Sequence, residues 1–345
     1  MGNTFQNEIK RTKLAVGLIL ISFLSMLILS GSFFALKTPS IINALKNNMK
    51  QTGLASEGIM TRDSETDIKL TLDEERIANK NKHFGLLDIE AESVLVWDIK
   101  KEEAIFEKNA DEARPLASIT KMMTAVVALE KVEPLFPIFI EHEFLMQHGN
   151  SGLFLHESWP LENLIKISMV TSANDASYAI AATVGAHLTG GSHREGEGFF
   201  VSEMNRKADS LGLEKTFFHN STGLDLNERT SGAYSSARDI VELTLYTLLN
   251  HPAILYSTRH SVREDVSLSN LQHSFTNTNP TVSETDGIVA SKTGYTDLAG
   301  GNLVVVVNVD FNYPVIIVVL GSSLNGRFED IKQLIEVTRH YLQTS

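Results

Sequence analysis

The sequence predicts an α+β fold, in which strands from both ends of one folded domain form a single antiparallel sheet and a helical lobe is inserted between them. Two strand patterns, residues 93–98 and 104–107, open the domain, and strand patterns return after residue 286. Helical periodicity dominates between them, from residue 118 to about residue 249. Strands that are distant in sequence and separated by helices are typical of this fold class.

The individual elements follow from residue patterns. The first two strands are joined by the polar turn Lys100-Lys101-Glu102-Glu103, which predicts a hairpin. Four helical runs are expected at residues 161–169, 174–188, 201–211 and 237–249. The late strands are expected at residues 288–293, 303–309 and 315–320, with Asn312-Tyr313-Pro314 as the last turn. An amphipathic helix is expected at about residues 328–342.

A membrane-spanning segment is expected ahead of the folded domain. Residues 14–36 carry no charge over 23 positions, and at about 1.5 Å per residue a helix of this length spans the roughly 30 Å hydrocarbon layer. A cleaved signal peptide with Ser30-x-Ser32 at its cleavage site is the alternative, although apolar regions of signal peptides have only about 7 to 15 residues. We therefore divide the chain into an N-terminal segment 1–13, a transmembrane helix 14–36, a linker 37–84 and a folded domain 85–345.

Composition argues against several classes of function. The net charge is −12, and because phosphate binding requires clustered Lys and Arg, no nucleic-acid partner is expected. The chain has no cysteine, which rules out disulfides and thiolate metal sites. The eleven histidines form no His-Glu-x-x-His pattern, and His187 and His193 flank Gly190-Gly191-Ser192, which is typical of a surface loop. No metal and no cofactor is expected.

Three short motifs carry the chemistry. They are Ser118-Ile119-Thr120-Lys121, Ser172-Ala173-Asn174 and Lys292-Thr293-Gly294, in this order. Each alone is a weak signal, since a Ser-x-Asn also occurs at Ser323-Leu324-Asn325. Three-residue spacing on a helix puts a hydroxyl and an amine on one face, so the amine can take the proton of a serine that is otherwise a weak nucleophile. The trio therefore predicts serine acyl transfer with Ser118 as nucleophile and Lys121 as base.

The second lysine has a different expected task. To act near neutral pH, Lys121 must lower its pKa from about 10.4 to about 7.5. We expect Lys292 to keep its proton and to push Lys121 toward neutrality. We also expect Lys292 and Thr293 to bind a substrate carboxylate, and Gly294 to leave room for a substrate that lies against the strand.

These motifs resemble the low-molecular-mass penicillin-binding proteins, the serine D-alanyl-D-alanine carboxypeptidases. The resemblance extends through Pro115-Leu116-Ala117 before the first motif, Asp175-Ala176 after the second and Tyr295-Thr296 after the third. A fourth block, residues 216–224, resembles the family pattern Thr-x-Phe-x-Asn-x-x-Gly-Leu, and together the blocks cover about residues 85–345. Within it, we interpret Asn220 and Gly223 as structural residues that fix a loop near the site.

The resemblance implies a β-lactamase/penicillin-binding transpeptidase-like fold, with a five-stranded antiparallel sheet beside an all-helical lobe and the site at their junction. It implies an oxyanion hole at the backbone amides of Ser118 and Tyr295, a proton relay at Ser172, and contacts of Asn174 with the substrate amide and the Lys121 ammonium. The implied reaction removes the terminal D-alanine of peptidoglycan stem peptides, with β-lactams as covalent inhibitors. Such an enzyme faces outward from the cell membrane, so residues 1–13 would be cytoplasmic.

Two other functions share these residues. A class A β-lactamase uses an added glutamate to activate the deacylating water, but no Glu-x-x-x-Asn stretch lies between Asn174 and Lys292, and the nearest candidates, Glu195 and Glu197, are expected in the Gly-rich loop. A non-catalytic wall-binding or sensor protein has no physical reason to retain all the motif residues. Endopeptidase and transpeptidase activity would use the same site, so the sequence leaves the acyl acceptor open.

Overall fold

The computed structural model describes residue 79, residues 82–149 and residues 152–344. The predicted segments 1–13 and 14–36 lie outside these residues, as does most of the predicted linker. In the described part of the chain no helix has the length and apolar character needed to cross a bilayer. Phe84 is 5% exposed and stacks on Phe106 with ring centroids 5.0 Å apart, so the packed domain already includes the residue that precedes its predicted start.

Eight α-helices and twelve strands have both ends among the described residues, and residues 82–84 are also helical. The helices are α1 Lys121–Lys131, α2 His142–Leu145, α3 Leu161–Thr171, α4 Asn174–Thr189, α5 His193–Ser210, α6 Ala237–Asn250, α7 Pro252–Tyr256 and α8 Gly326–Thr344. The strands are β1 Ser93–Asp98, β2 Glu103–Lys108, β3 Arg114–Pro115, β4 Pro137–Phe139, β5 Ser158–Pro160, β6 Phe217–Phe218, β7 Ala233–Ser235, β8 Val262–Val266, β9 Gln272–Thr276, β10 Ile288–Thr296, β11 Gly300–Asp310 and β12 Tyr313–Ser322.

The main sheet joins both ends of the domain, which confirms the predicted α+β class. Its five strands are antiparallel and follow the order β10-β11-β12-β1-β2. The first strand pairs with the last, and Val96 lies opposite Ile317. β10 lies at an edge of this sheet. The third motif therefore lies on a strand that pairs with a described strand on one side only.

Helices cover both faces of this sheet, which explains its continuous apolar strands. One face packs its alternate residues against Ile331, Leu334 and Ile335 of α8. The other face, including Val304 and Ile316, joins the core of the helical lobe. A strand with both faces buried favours apolar side chains at most of its positions, so β11 and β12 contain long runs of Val and Ile. Each fully buried Val or Ile contributes about 1.5–3 kcal/mol relative to an exposed one.

Two glycines set the packing of α4 against α5. A Cβ at Gly185 would lie 1.9 Å from the carbonyl oxygen of Gly196, so only glycine permits this approach. α5 starts at His193, where Ser192 and Glu195 form a capping box, and Gly190-Gly191-Ser192 is only a short exposed connection. The prediction that Glu195 and Glu197 lie in a Gly-rich loop was wrong, because the cap extends the helix over both residues.

Candidate active site

The first motif lies on a tight turn that leads into α1. Residues Ala117–Thr120 form a 3₁₀ turn, and Ala117 has φ +47°, a left-handed conformation that costs a non-glycine residue about 1–3 kcal/mol. Ser118 is half-buried. Ser118 is not the cap of α1, because the N-cap residue of this helix is Thr120, whose side chain makes no capping hydrogen bond.

Lys121 lies at the centre of the site and has three oxygen partners. Its Nζ is 2.7 Å from Ser118 Oγ, 2.8 Å from Asn174 Oδ1 and 2.7 Å from the carbonyl oxygen of Thr222. The residue is 1% exposed. Burial lowers the pKa of Lys121 to about 7, against a smaller upward effect of Asp175, because removal of water penalises the charged form.

The second motif supplies one partner to each lysine. Ser172 follows α3 in the left-handed conformation, with φ +61°, and its Oγ accepts a hydrogen bond from Lys292 Nζ at 2.8 Å. Asn174 is the first residue of α4, and its Nδ2 donates to the carbonyl oxygen of His148 at 2.6 Å. This contact turns the carboxamide so that Oδ1 faces Lys121.

Lys292 is buried and donates hydrogen bonds to two oxygens. It is 1% exposed and donates to Ser172 Oγ and, at 2.7 Å, to the carbonyl oxygen of Thr293. Burial and the nearby charges of Lys121 and Arg327 lower the pKa of Lys292 well below its ordinary value. The expectation that Lys292 lowers the pKa of Lys121 is not supported, because burial is the main cause of that lowered pKa.

Gly294 lies close against the turn that carries the nucleophile. A Cβ at Gly294 would lie 2.9 Å from the carbonyl oxygen of Leu116 and 3.2 Å from Ser118 N. The space is therefore occupied by the turn that carries the nucleophile. Thr293 is 4% exposed and Tyr295 is 46% exposed. Of the two residues beside Gly294, Tyr295 therefore faces solvent.

A loop after β6 supplies the third oxygen partner of Lys121, the carbonyl of Thr222. Asn220 Oδ1 accepts from the backbone amides of Thr222 at 3.2 Å and Gly223 at 2.7 Å. Gly223 has φ +82°, and a Cβ there would lie 1.9 Å from the carbonyl oxygen of Ala117. Asn220 and Gly223 thus hold the loop against the nucleophile turn. Sequence reasoning missed Thr222, because its contact is made by a backbone carbonyl that any residue type provides.

Arg327 is the other residue that sequence reasoning missed. It lies near the start of α8, is 7% exposed and donates from Nη1 to the carbonyl oxygen of Gly294 at 2.6 Å. A Cβ at Gly301 would lie 2.1 Å from the carbonyl oxygen of Ser323 and 3.2 Å from Arg327 Cδ, so this glycine lets the segment that leads into α8 lie close to β11. The pair Gly300-Gly301 was the available signal, since a glycine inside a strand often marks a close approach.

One group of possible metal ligands occurs in the described residues, and it lies outside this site. Glu141, Glu143 and His193 bring three ligand atoms within 4.8 Å of one another. Both carboxylates are exposed, and His193 Nδ1 is 2.6 Å from Glu143 Oε1, the arrangement of an ordinary surface ion pair. Neither this group nor the lysine cluster requires a metal.

This chain is similar in sequence to a known family and to several known proteins. A family model described as D-alanyl-D-alanine carboxypeptidase matches residues 77–323. A D-alanyl-D-alanine endopeptidase of Escherichia coli K12 is 32% identical over 244 residues, which cover 68% of this chain and 72% of the relative. The D-alanyl-D-alanine carboxypeptidase DacF of Bacillus subtilis is 31% identical over 223 residues, which cover 62% of this chain and 53% of the relative. This chain therefore matches only about half the length of the second relative.

Two solved structures share the fold. Penicillin-binding protein D2 of Listeria monocytogenes, in an ampicillin-bound form, is 28% identical with a TM-score of 0.61, covering 73% of this chain and 98% of that chain. The Streptomyces K15 DD-transpeptidase is 23% identical with a TM-score of 0.65, covering 73% of this chain and 97% of that chain. The fold and its five-stranded antiparallel sheet agree with the prediction.

Proposed function

This chain belongs to the D-alanyl-D-alanine carboxypeptidase family, and we propose that it removes the terminal D-alanine from peptidoglycan stem peptides through an acyl-enzyme on Ser118. The family and the relatives identify a serine DD-peptidase. One observation carries the proposal: Lys121 Nζ is 2.7 Å from Ser118 Oγ, and burial lowers the pKa of Lys121 to about 7. An amine with this pKa is partly uncharged at neutral pH and accepts a hydroxyl proton.

The acceptors around Lys121 support its role as the base. An uncharged amine has two N–H bonds and one lone pair, and Asn174 Oδ1 and the Thr222 carbonyl accept from the two N–H bonds. The lone pair then faces Ser118 Oγ and takes its proton as the oxygen attacks the carbonyl carbon between two D-alanines. The C–N bond breaks, the leaving amine takes that proton by way of Ser172, and an ester remains on Ser118. Water hydrolyses the ester and releases the shortened peptide.

We assign the oxyanion hole to the backbone amides of Ser118 and Tyr295. The close approach of Gly294 to Ser118 N supports this assignment, because it brings the strand that carries Tyr295 beside the nucleophile turn. Two amides directed at the carbonyl oxygen stabilise the negative charge that develops there during attack. Their positions are fixed by packing, so no reorganisation is needed in the transition state.

We assign the substrate carboxylate to Lys292 and Thr293. Lys292 and Arg327 are buried basic side chains that form no salt bridge with a described residue, and their hydrogen-bond partners are hydroxyl or carbonyl oxygens. Two buried basic side chains without a carboxylate partner form a site that favours an anion. A bound carboxylate raises the pKa of Lys292 toward its ordinary value, since an opposite charge favours the ammonium. The protonated state expected from the sequence would therefore be restored by substrate.

We further propose that residues 14–36 anchor the protein in the cell membrane, with residues 1–13 in the cytoplasm and residues 85–345 outside. The uncharged run of 23 residues supports an anchor, and the location of peptidoglycan outside the membrane supports this orientation. β-Lactams are expected to acylate Ser118 as covalent inhibitors. The ampicillin-bound form of the Listeria monocytogenes protein supports that expectation.

The endopeptidase relatives favour a second candidate, in which the same acyl-enzyme forms at a D-alanyl bond inside a longer peptide. A β-lactamase is disfavoured by the position of Glu197, whose Oε1 accepts from Ser221 N and Oγ at 3.2 Å. We therefore expect a β-lactam to remain bound as a slowly hydrolysed acyl-enzyme.

Labelling with fluorescent penicillin tests the proposed nucleophile. Purified full-length protein in detergent is expected to form one covalent adduct per chain, and Ser118→Ala is expected to form none. If the wild-type protein forms no adduct, a non-catalytic wall-binding role replaces the proposal. Release of free D-alanine from a pentapeptide supports the carboxypeptidase, cleavage of a cross-linked peptide alone supports the endopeptidase, and fast turnover of penicillin supports the β-lactamase.

A further inference from the structure

Glu197 is a half-buried carboxyl group close to the loop that holds Lys121. It lies on α5, directly after Gly196, where α5 packs closely against α4. Among the described residues it forms no ion pair, and Ser221 is its hydrogen-bond partner. Burial raises the pKa of Tyr178 on α4, and the Glu197 carboxyl adds to that effect. A carboxyl group kept from solvent without a cation costs free energy, so its retention calls for a specific role.

Glu197 contacts Ser221, and the next residue along the chain, Thr222, contacts Lys121. Glu197 Oε1 holds the amide and hydroxyl of Ser221, a residue with 0% exposure. The Ser221 carbonyl oxygen accepts from Thr124 Oγ1 at 2.7 Å and from Ser177 Oγ at 2.9 Å. Ser221 is thus fixed from α1, α4 and α5 at once. The next carbonyl along the chain, that of Thr222, accepts from Lys121 Nζ at 2.7 Å.

We propose that Glu197 is a positioning residue for acylation, which fixes the Thr222 carbonyl so that the lone pair of uncharged Lys121 faces Ser118. This inference rests on the proposed function. With the Thr222 carbonyl fixed, both N–H bonds of the amine have acceptors. When that carbonyl retreats, the amine rotates and presents an N–H to the hydroxyl whose proton it must take. The defect falls on the acylation step, because Glu197 has no contact with the proposed carboxylate site.

The proposal distinguishes the oxygen of Glu197 from its charge. Both donors of Ser221 share Oε1, so glutamine, which keeps one acceptor oxygen, reproduces the contacts. A role of the negative charge would be lost in Glu197→Gln, whereas a role of the acceptor would be kept. Glu203 on the same helix supplies a matched control, since it is 8% exposed and pairs with Lys131 at 2.5 Å but does not contact Ser221.

The test measures acylation of full-length protein by fluorescent penicillin in a stopped-flow experiment, which separates the dissociation constant of the initial complex from the acylation rate constant. Glu197→Ala is expected to lower the rate constant by about 10-fold at an unchanged dissociation constant. Glu197→Gln is expected to restore it to within about twofold of wild type. Glu203→Ala is expected to lower the melting temperature while the rate constant stays at the wild-type value.

A wild-type rate constant in Glu197→Ala, or a loss in Glu197→Gln as large as that in Glu197→Ala, overturns the inference. If Glu197→Ala does not fold, Glu197→Asp replaces it, because the shortened side chain withdraws the carboxylate from Ser221 and is expected to slow acylation more than Glu197→Gln does. These outcomes are separate from a failure of the proposed function, in which the wild-type protein itself forms no adduct.

Discussion

Substitution of Gly294 by alanine tests whether this glycine serves the protein's own turn or the substrate. The added Cβ would meet the Leu116 carbonyl oxygen at 2.9 Å and Ser118 N at 3.2 Å. Both atoms are backbone, so β10 and the nucleophile turn must separate by a few tenths of an ångström. Overpacking of this kind costs about 1–3 kcal/mol of unfolding free energy. Because misplacement by about 1 Å costs roughly 100-fold in rate, we expect acylation to slow by about 10-fold.

The assay combines urea unfolding with the kinetics of acylation by fluorescent penicillin. The matched control is Gly198→Ala on α5, where an added Cβ has no neighbour within 4 Å and the higher helix propensity of alanine stabilises by up to about 1 kcal/mol. Gly294→Ala is expected to lower both the unfolding free energy and the acylation rate constant. If Gly294→Ala has wild-type stability and only its affinity for substrate changes, this reasoning is refuted. Gly294 would then be required for contact with the substrate.

Three further predictions follow from the same contacts. Gly185→Ala would bring a Cβ to 1.9 Å from the Gly196 carbonyl oxygen, so we expect the unfolding free energy to fall by about 2 kcal/mol or more; a urea midpoint equal to that of wild type would contradict this. Thr278→Val removes the hydroxyl that lies 2.5 Å from Thr293 Oγ1, and we expect KM for the pentapeptide to rise about 3- to 10-fold with little change in kcat; an unchanged KM would show that Thr293 needs no such partner. A pentapeptide with an amidated C-terminus lacks the charge assigned to Lys292 and Thr293, and kcat/KM is expected to fall by about 10- to 100-fold; equal turnover of acid and amide would exclude the assigned carboxylate site.

The chemistry of the site was predictable because two of its residues lie on one continuous helical turn. Three-residue spacing fixes Ser118 and Lys121 on one face whatever the tertiary structure, and their atoms lie 2.7 Å apart. The central strands were equally predictable, because a sheet covered on both faces requires uninterrupted apolar runs. The prediction of the turn before β12 was only approximate. Asn312 lies in the turn with a left-handed φ of +49°, whereas Pro314 already pairs with Asn308 inside the sheet.

The missed features depend on contacts that leave no local pattern. The Thr222 carbonyl lies 101 residues along the chain from Lys121. Arg327 lies 33 residues from its partner Gly294. The β8–β9 hairpin was missed because β8 does not follow the usual pattern of buried apolar residues. Its apolar residues Val262 and Val266 are exposed, and the charged residues Arg263 and Asp265 are half-buried. The lowered pKa of Lys121 was predicted from a pairing rule, but burial is the main cause for both lysines, and that burial is a property of the folded domain.

The pH dependence of acylation tests most directly whether an uncharged Lys121 takes the proton of Ser118. Burial lowers the pKa of Lys121 to about 7, so the fraction of free amine rises with pH and levels off above that value. The acylation rate constant for fluorescent penicillin, measured from pH 5 to 9, is expected to rise about 10-fold per pH unit at the acid end and to reach a plateau after a midpoint near 7. A rate constant that is independent of pH across this range, or that still rises 10-fold per unit at pH 9, would contradict the account.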